Sequence, residues 1–386
     1  MIFPFSVTLV AGQFRPLVGG AERQSERLAA ELLKQGHSVE VVTRLLEKDH
    51  PRCEIVLGVP VRRLGSAGTG LFRLRKLERA GFALQLWREL RGSSVSRCVL
   101  VQHLLYPALV AGLATGGDGW PLVVRVSSTG TTSDFKMWGG LSAAVHRFLR
   151  SRVSTLVVLN EQARVEAMER GYSADRIVII PNGVDVSVEP EPRTHLGAAQ
   201  VIYVGGLRSE KRVDVLIEAW KKAATKGSLS IVGEGPERSR LEALSAGSRV
   251  CFLGRVEDPS SHQRAADVAV LSSDAEGMSN ALIEAMAAGC ACVATYIGGN
   301  VDCLFPGSTE PADGTVSEGP FGWLVRRGDI VALALALKRL DEGPEIRSRL
   351  GAAARARALS EYSIAAAAAR YSDLFTRLLR ERTPPT

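Results

Sequence analysis

The sequence has few cysteines and no pattern that would tie them into a metal or disulfide framework. Six cysteines are scattered over 386 residues, without a Cys-x-x-Cys pair or a cluster of cysteine and histidine. Structural zinc sites and disulfide-rich folds need such spacing, so neither is expected. An Asp-x-Asp motif is also absent, and nothing in the sequence indicates a bound metal. A reducing, cytoplasmic compartment is the default expectation.

Long hydrophobic runs are absent as well. No apolar stretch approaches the roughly 20 residues that a membrane-spanning helix needs. The segment Met1–Val10 has no basic region before its apolar run, so we interpret it as a first strand rather than a signal peptide. The composition, 46% hydrophobic and 23% charged, is ordinary for a globular protein. A chain of 386 residues is long for one domain, so two are expected.

What the sequence does contain is a regular alternation of strand and helix patterns, in two runs. In the first run the predicted strands are 5–10, 38–43, 98–101, 122–126, 155–159 and 176–180, and the predicted helices are 21–35, 71–91, 140–152 and 161–170. In the second run the strands are 201–204, 228–232, 250–253, 268–271 and 291–295, and the helices are 213–224, 236–245, 260–265 and 280–288. A proline-rich, acidic stretch, Val186–Arg193, separates the runs. This pattern predicts an α/β protein with two doubly wound parallel sheets.

The most informative segment holds two glutamates, Glu276 and Glu284, eight residues apart. The first follows an apolar strand, and the second lies inside an alanine-rich helix. The start of a helix presents unpaired N–H groups and a partial positive charge, which suits a diphosphate. The two carboxylates would then meet sugar and ribose hydroxyls. The backbone amides expected at the phosphates are those of Gly277, Met278, Ser279 and Asn280.

The order of these segments resembles that of glycosyltransferase family 4, whose members are retaining enzymes with the GT-B fold and an E-x7-E motif. The resemblance covers essentially the whole chain, through segments 1–43, 177–185, 201–216, 231–236, 250–256, 272–299 and 322–329. It implies two Rossmann-like domains that face a central cleft. Residues 1–185 would bind the acceptor, 186–199 would be a linker, and 200–363 would bind the nucleotide-sugar donor. Residues 364–386 would form a helix that crosses back to the first domain.

The resemblance also assigns roles to single residues on the donor side. Glu276 would contact the donor-sugar hydroxyls and Glu284 the ribose, and Lys211 would neutralise the diphosphate, so Glu276 and Lys211 are the expected catalytic residues. Three further donor contacts each have a plainer alternative. Gly19 and Gly20 either close over the phosphates or form a simple turn, and Arg255 either contacts the base or only flanks it.

Two positions depart from the family pattern. Gly206 stands where the family has an arginine, and Arg208 either replaces that guanidinium or is a solvated surface charge. Ser127 stands where many members have a histidine near the reacting sugar, and a serine cannot act as a strong base. His103 follows another predicted strand, where it either reaches the acceptor or has a structural role. In this family the leaving phosphate itself helps to deprotonate the acceptor, so the mechanism does not depend on that histidine.

The first half of the chain is basic. Residues 1–180 hold 24 Lys and Arg against 15 Asp and Glu, a net charge of +9, whereas residues 181–386 hold 24 against 26, a net charge of −2. The segment Arg62–Arg97 predicts a basic amphipathic helix, either on an anionic membrane surface or with its apolar stripe in the core. Its basic residues are Arg62, Arg63, Arg73, Arg75, Lys76, Arg79, Arg88, Arg91 and Arg97. No RNA-binding signature is present, so no nucleic-acid partner is expected.

The expected function is therefore transfer of a sugar from a nucleoside diphosphate sugar, with UDP as the expected nucleotide, to a hydroxyl of a glycan or lipid-linked acceptor. The donor is a co-substrate, and no cofactor or metal is expected. The setting would be the cytoplasm, at the inner face of the cytoplasmic membrane, in polysaccharide or glycoconjugate synthesis. Two alternatives remain: a nucleotide-sugar epimerase or hydrolase on the same fold, and a catalytically silent subunit that binds nucleotide sugar.

Overall fold

The computed structural model describes residues 4–15, 19–67, 75–91, 97–103, 106–115, 120–127, 133–136, 142–186 and 197–381. The chain forms two compact units, one of Met1–Gly183 with Ile364–Thr386 and one of Val184–Ser363. Parts of several predictions lie outside the described residues: most of the linker (187–196), helix positions 71–74 and 140–141, and Arg73 of the basic segment.

The described part of the first unit contains an eight-stranded sheet in the order β3-β4-β2-β1-β5-β6-β7-β8. Its strands are β1 (Ser6–Ala11), β2 (Ser38–Arg44), β3 (Cys53–Val56), β4 (Val59–Leu64), β5 (Arg97–Gln102), β6 (Leu122–Arg125), β7 (Thr155–Val158) and β8 (Ile177–Ile179). All neighbouring strands are parallel except the β3–β4 pair. The central strands are almost wholly apolar because helices cover both faces of the sheet.

Two hydrophobic cores lie on the two faces of this sheet. The first face is covered by α2 (Arg75–Arg91), α3 (Tyr106–Ala114), α4 (Ser142–Arg152) and α5 (Glu161–Glu169). The second face is covered by α1 (Gly20–Lys34) and by the C-terminal helix α13 (Ile364–Arg380). Tyr371, Leu374 and Phe375 of α13 are at most 3% exposed and pack in the core that contains Phe5 and Leu9. The C-terminal helix is therefore part of the first unit.

The second unit contains a seven-stranded sheet in the order β11-β10-β9-β12-β13-β15-β14. Its strands are β9 (Gln200–Val204), β10 (Ser228–Val232), β11 (Val250–Gly254), β12 (Val268–Leu271), β13 (Ala291–Thr295), β14 (Val316–Glu318) and β15 (Trp323–Val325), and only β14 is antiparallel. Its helices are α6 (Val213–Ala223), α7 (Arg238–Leu244), α8 (Pro259–Ala265), α9 (Asn280–Ala287), α10 (Gly298–Leu304), α11 (Ile330–Glu342) and α12 (Pro344–Glu361). The predicted α/β class with two largely parallel sheets is confirmed.

One prediction about the basic segment is wrong. Arg62 and Arg63 lie on strand β4, which runs to Leu64, and not on a helix; the described helix of this segment is α2 (Arg75–Arg91). Arg63 is 4% exposed, pairs with Glu54, and donates to the Pro51 and Arg15 carbonyl oxygens. On the helix itself, Phe82, Leu86 and Leu90 are buried in the core, as the core-facing interpretation predicts. Among the described residues, no helix has both the length and the hydropathy needed to cross a bilayer.

Candidate functional site

Most of the predicted donor residues of the second unit follow two neighbouring strands that lead away from each other. The chain turns from β9 toward β10 on one side, while β12 leads to β13 on the other. In open parallel sheets, such a switch point leaves a crevice outside the carboxyl ends of the strands, and ligands bind there. Lys211 comes after β9, and Glu276 comes after β12. The fold therefore brings the two predicted catalytic residues to the same crevice.

Lys211 and Glu276 form an ion pair, in which the ammonium group donates to the carboxylate Oε1. The two side chains are 23% and 16% exposed, so the pair is shielded yet still accessible to a ligand. The Ser273 hydroxyl donates a second hydrogen bond to the same oxygen of Glu276, at 3.1 Å. Ser273 was not predicted, although its position beside Glu276 at the end of a strand could have revealed it.

The backbone around this pair is held by bonds between the two loops. The Ser272 hydroxyl donates to the Lys211 carbonyl oxygen at 2.9 Å, and the Asp274 amide donates to the Glu210 carbonyl oxygen at 2.9 Å. The Asp274 carboxylate also accepts from Arg212 at 3.2 Å. These bonds fix the spacing of the loop that follows β9 and the loop that follows β12. Side chains on rigidly held loops keep their geometry without a ligand, which favours catalysis.

The start of α9 carries the other predicted donor residues. Ser279 caps this helix, and its side-chain oxygen accepts from the Leu282 amide at 3.4 Å. Met278 and Glu284 are 7% and 9% exposed. A Cβ on Gly299 would lie 2.4 Å from the Gly277 carbonyl oxygen, so only glycine lets α10 approach this loop. Gly277, Met278, Ser279 and Asn280 thus lie where the positive end of the α9 dipole is directed.

Glycines also let the turns after β9 and β10 pack against each other. A Cβ on Gly233 would lie 1.9 Å from the Gly205 carbonyl oxygen, and one on Gly235 would lie 2.2 Å from the Leu207 carbonyl oxygen. Three backbone hydrogen bonds join these turns: Gly205 to Val232, Leu207 to Glu234, and Glu237 to Leu207. The glycines at 233 and 235 therefore have a structural role at the border of the crevice.

Arg208 lies beside the glycine that departs from the family pattern. A Cβ on Gly206 would be 3.9 Å from the Arg208 Nε, which is an ordinary contact. Arg208 is exposed, and within the described part of the chain its guanidinium has no hydrogen-bond or ion-pair partner. Arg255, in contrast, directly follows β11, two strands away from β9, and its side chain is exposed.

The predicted residues of the first unit form a separate group. Gly19 is the N-cap of α1, and its amide donates to the Glu22 carboxylate at 3.0 Å, which is the local bond expected of a helix start. Gly20 is the first residue of that helix. A cap explains the glycine pair without a ligand, and phosphate contact at this position stays a prediction.

His103 and Ser127 are joined through a residue that was not predicted, Asp134. The Asp134 Oδ2 lies 3.5 Å from the His103 Nδ1 and accepts from the Ser127 amide at 2.8 Å. His103 has a φ of 73°, a conformation that costs energy for any residue other than glycine. Gln102 donates to the Ser127 hydroxyl at 3.3 Å. Asp134 follows no predicted strand, so the sequence carried no signal for it.

Burial perturbs one phenol close to the donor residues. Burial raises the pKa of Tyr203, and the charges of Glu276 and Glu210 raise it further. The Tyr203 hydroxyl donates to the Gly206 carbonyl oxygen at 3.2 Å, so this residue is a neutral support of the β9 turn. Over the described residues, no group of three or more His, Cys, Asp or Glu side chains is placed to hold a metal ion.

Fold and site together define a protein of two Rossmann-like units with a polar crevice at a strand switch point, and comparison with known proteins gives its family. Residues 19–183 match the family described as a glycosyl transferase 4-like domain. Residues 198–342 match the family described as glycosyl transferases group 1. The chain belongs to the family 4 type of glycosyltransferases.

Individual relatives are similar over part of their length. The lipopolysaccharide core biosynthesis glycosyltransferase LpsD of Rhizobium meliloti is 29% identical over 250 residues, which are 60% of this chain and 66% of that protein. The N-acetyl-alpha-D-glucosaminyl L-malate synthase of Bacillus anthracis is 26% identical over 187 residues, 47% of this chain and 46% of that protein. The chain thus matches between about half and two thirds of the length of these two relatives.

Solved structures match over nearly the whole chain. Sucrose-phosphate synthase of Thermosynechococcus elongatus has a TM-score of 0.79 at 21% identity, with 98% of this chain and 100% of that chain covered. HepE of Anabaena in complex with UDP and glucose has a TM-score of 0.75 at 17% identity, with 97% and 100% covered. At these identities the likeness establishes the fold, and the predicted GT-B fold class is confirmed.

Proposed function

We propose that this protein is a retaining glycosyltransferase that moves a sugar from a UDP-sugar to a hydroxyl of a glycan or lipid-linked acceptor. The pathway would be the synthesis of a polysaccharide or glycoconjugate. The observation that carries the proposal is the Lys211–Glu276 ion pair at the switch point of the second sheet, next to the start of α9. This arrangement joins a cation, a carboxylate and a helix start, which are the groups that a nucleoside diphosphate sugar requires.

The chemical need in such a transfer is to stabilise the diphosphate as it leaves. Lys211 supplies one positive charge, and the start of α9 supplies the partial charge of its dipole. Groups that are already oriented toward the developing charge lower the barrier most, since they need not reorganise during the reaction. Arg208 would add a second cation, because its exposed guanidinium lies beside Gly206. In this proposal protein groups alone stabilise the leaving group, and no metal is needed.

The carboxylates would hold the two hydroxyl-bearing parts of the donor. Glu276 would bind the sugar hydroxyls, and its ion pair with Lys211 keeps the carboxylate oriented. Glu284, buried inside α9, would bind the ribose hydroxyls. Transfer breaks the bond between the anomeric carbon and the phosphate oxygen and forms one from that carbon to the acceptor oxygen. The acceptor oxygen attacks from the face that the phosphate leaves and gives its proton to that phosphate, so the anomeric configuration is retained.

The choice of UDP rests on the similar proteins. HepE structures hold UDP, UDP with glucose, and UDP-glucose. A setting in surface glycan synthesis is supported by the name of LpsD. Location at the inner face of the cytoplasmic membrane, with the basic first unit on anionic lipid, belongs to this proposal as well.

A nucleotide-binding experiment tests the proposal first. Thermal unfolding would be followed with UDP, GDP, ADP, CDP and TDP, each with EDTA and without added metal. A ligand at about 100 times its dissociation constant should contribute roughly 2.7 kcal/mol, so a site for UDP would raise the transition temperature measurably. The response should be lost in Lys211→Ala and Glu284→Ala. It should persist in the matched controls Lys222→Ala and Glu218→Ala, whose exposed side chains lie on α6.

Product analysis then separates the transferase from its alternatives. Incubation with UDP-sugar and an acceptor extract should give a glycoside of unchanged anomeric configuration by NMR. Conversion of the nucleotide sugar without acceptor would instead support an epimerase or hydrolase. Binding of UDP without any turnover, and cellular glycan unchanged by Glu276→Ala, would support the silent-subunit alternative.

A further inference from the structure

The first unit contains a pocket at the switch point of its own sheet. The chain leaves β1 toward β2 on one side, whereas β5 leads to β6 on the other. A cavity of about 440 Å³ opens where these strands end, and its lining includes Gly12 after β1 and both Gln102 and His103 at the end of β5. Cavities of this size hold small organic ligands, and a switch point is the usual place for one.

Two arginines from different elements line this pocket. Arg44 is the last residue of β2, and Arg79 lies in the first half of α2. In the described residues neither guanidinium has a hydrogen-bond or ion-pair partner. By contrast, the two arginines of the neighbouring strand β4 are paired, since Arg62 pairs with Glu40 and Glu89, and Arg63 pairs with Glu54.

The other lining groups make the pocket suitable for an anion that also carries hydroxyls. Tyr106, at the start of α3, is held by a 3.1 Å hydrogen bond from its hydroxyl to the Arg79 carbonyl oxygen. Burial raises the pKa of Tyr106 to about 12, against the lowering effect of the charges of Arg44 and Arg79. Both arginines line the same pocket as this phenol. Among the described lining residues the one carboxylate is Glu22, and it already accepts from the Gly19 amide.

His103 adds a group that can bind a hydroxyl. Its Nδ1 faces Asp134 at 3.5 Å, and its side chain is 26% exposed. A proton on Nδ1 leaves Nε2 as a hydrogen-bond acceptor, and Nε2 has no partner within the described residues. The left-handed backbone at His103 is a strained conformation kept at a pocket, which is typical of functional sites.

We propose that this pocket binds the acceptor and that Arg44 and Arg79 hold a phosphate or carboxylate group of that molecule. His103 Nε2 would accept a hydrogen bond from the acceptor hydroxyl that attacks the donor sugar. The inference rests on the proposed transferase function and names the acceptor class: a sugar or polyol that bears an anionic group. A guanidinium binds phosphate or carboxylate oxygens in a two-point geometry, and two of them bring selectivity for a charged acceptor over a neutral one.

Binding measured without nucleotide tests the pocket on its own. The probes are glucose 6-phosphate, succinate and inorganic phosphate, with glucose as the neutral match for the first. We expect the three anions to raise the transition temperature of the full chain and glucose to leave it unchanged. Each of Arg44→Gln and Arg79→Gln should weaken the apparent affinity for glucose 6-phosphate about tenfold or more, since each removes a charge-assisted hydrogen bond. Arg88→Gln, an exposed arginine of α2 outside the pocket, should match the unmodified protein.

Several outcomes would overturn the proposal. One is an absence of stabilisation by all three anions, and another is equal stabilisation by glucose. A third is unchanged affinity in both pocket variants.

A UDP titration shows whether the pocket binds an acceptor anion or the donor diphosphate. If the pocket variants weaken UDP as strongly as Lys211→Ala does, the pocket binds the donor diphosphate instead. Failure of the proposed function would give a different result. UDP would then stabilise neither the unmodified protein nor any variant, while the anions would still raise the transition temperature.

Discussion

At the scale of single residues, the Lys211–Glu276 pair is the feature on which donor chemistry depends most directly. Replacing Glu276 by Gln keeps the size of the side chain but removes the negative charge that orients Lys211. We expect kcat for sugar transfer to fall by about 10²-fold, which is typical for the loss of one oriented group in a catalytic site. The folded protein should stay within about 1 kcal/mol of the original stability, because a partly exposed ion pair contributes little.

The measurement is a steady-state assay with the UDP-sugar identified by binding, alongside urea unfolding of the same variant. Glu218→Gln, on the exposed side of α6, is the control for the loss of one carboxylate in the same unit. Activity within twofold of the unmodified protein would contradict a catalytic role for Glu276.

The pair of positions 206 and 208 gives a second residue-scale prediction. Arg208→Ala should weaken UDP binding about tenfold, because one charge-assisted contact to phosphate is lost. A Cβ at position 206 meets nothing closer than 3.9 Å, so an arginine there fits the backbone. The double variant Gly206→Arg with Arg208→Ala should therefore recover most of the affinity, measured by calorimetry. Unchanged binding in Arg208→Ala would mean that this arginine is only a surface charge.

At the scale of elements, the contact of α13 with the first sheet has a pH-dependent component. His37 is 2% exposed, stacks on Phe5 with ring centroids 3.7 Å apart, and its Nε2 lies 3.0 Å from the Ser372 hydroxyl of α13. Burial lowers the pKa of His37 from its ordinary value of 6.5. The His37 imidazole therefore binds a proton more readily in the unfolded chain than in the folded chain. The free energy of unfolding should decrease as the pH falls below about 6.5.

Urea unfolding at pH 7.5 and pH 5.5 measures this effect. The unmodified protein should have the lower midpoint at pH 5.5, and His37→Leu should show a smaller difference between the two pH values. His262→Gln serves as the control, since this histidine of α8 is only partly buried and lies in the second unit, away from α13 in the first. Equal pH dependence in the His37 variant and the control would remove His37 as a cause.

Most elements were predictable from local pattern, because apolar runs and caps mark them. Helix 213–224 and strand 291–295 were predicted within one residue of α6 and β13. The β3–β4 hairpin was missed because β3 is a short edge strand with alternate residues exposed, and buried residues of β4 alternate with less buried ones, which weakens the apolar run. Helices α11 and α12 were not predicted, although Gly343 and Pro344 mark the boundary between them.

The site was predictable to the extent that its residues follow strands. Lys211 and Glu276 come together because parallel strands end at one edge, and the sequence alone indicates both ends. The pocket in the first unit was not predictable in the same way. Arg44 and Arg79 come from a strand end and a helix that are distant in sequence, and only the strand order brings them to the end of β5. The spacing of residues in the sequence does not reveal the order of the strands in the sheet.

At the scale of the whole molecule, the two units have separate cores, and the C-terminal helix belongs to the first. The core of the second unit is built from residues 199–350, such as Trp220 and Trp323. One core of the first unit depends on α13, although 180 residues of the second unit lie between them in sequence. A defect in α13 should therefore act on the first unit.

Phe375→Ala tests this division. Phe375 is fully buried against Phe5 and Tyr371, and removal of a buried phenylalanine costs about 3–5 kcal/mol. For a unit of this size the loss should lower its transition by roughly 10 °C. Scanning calorimetry should show one transition moved and the other in place, with the response to UDP at 25 °C retained because Lys211 and Glu276 lie in the second unit. Leu113→Ala, at a position 54% exposed on α3, should move neither transition. If the variant instead lost UDP binding at 25 °C while Leu113→Ala did not, donor binding would depend on the core of the first unit, and the separation of the two units would be wrong.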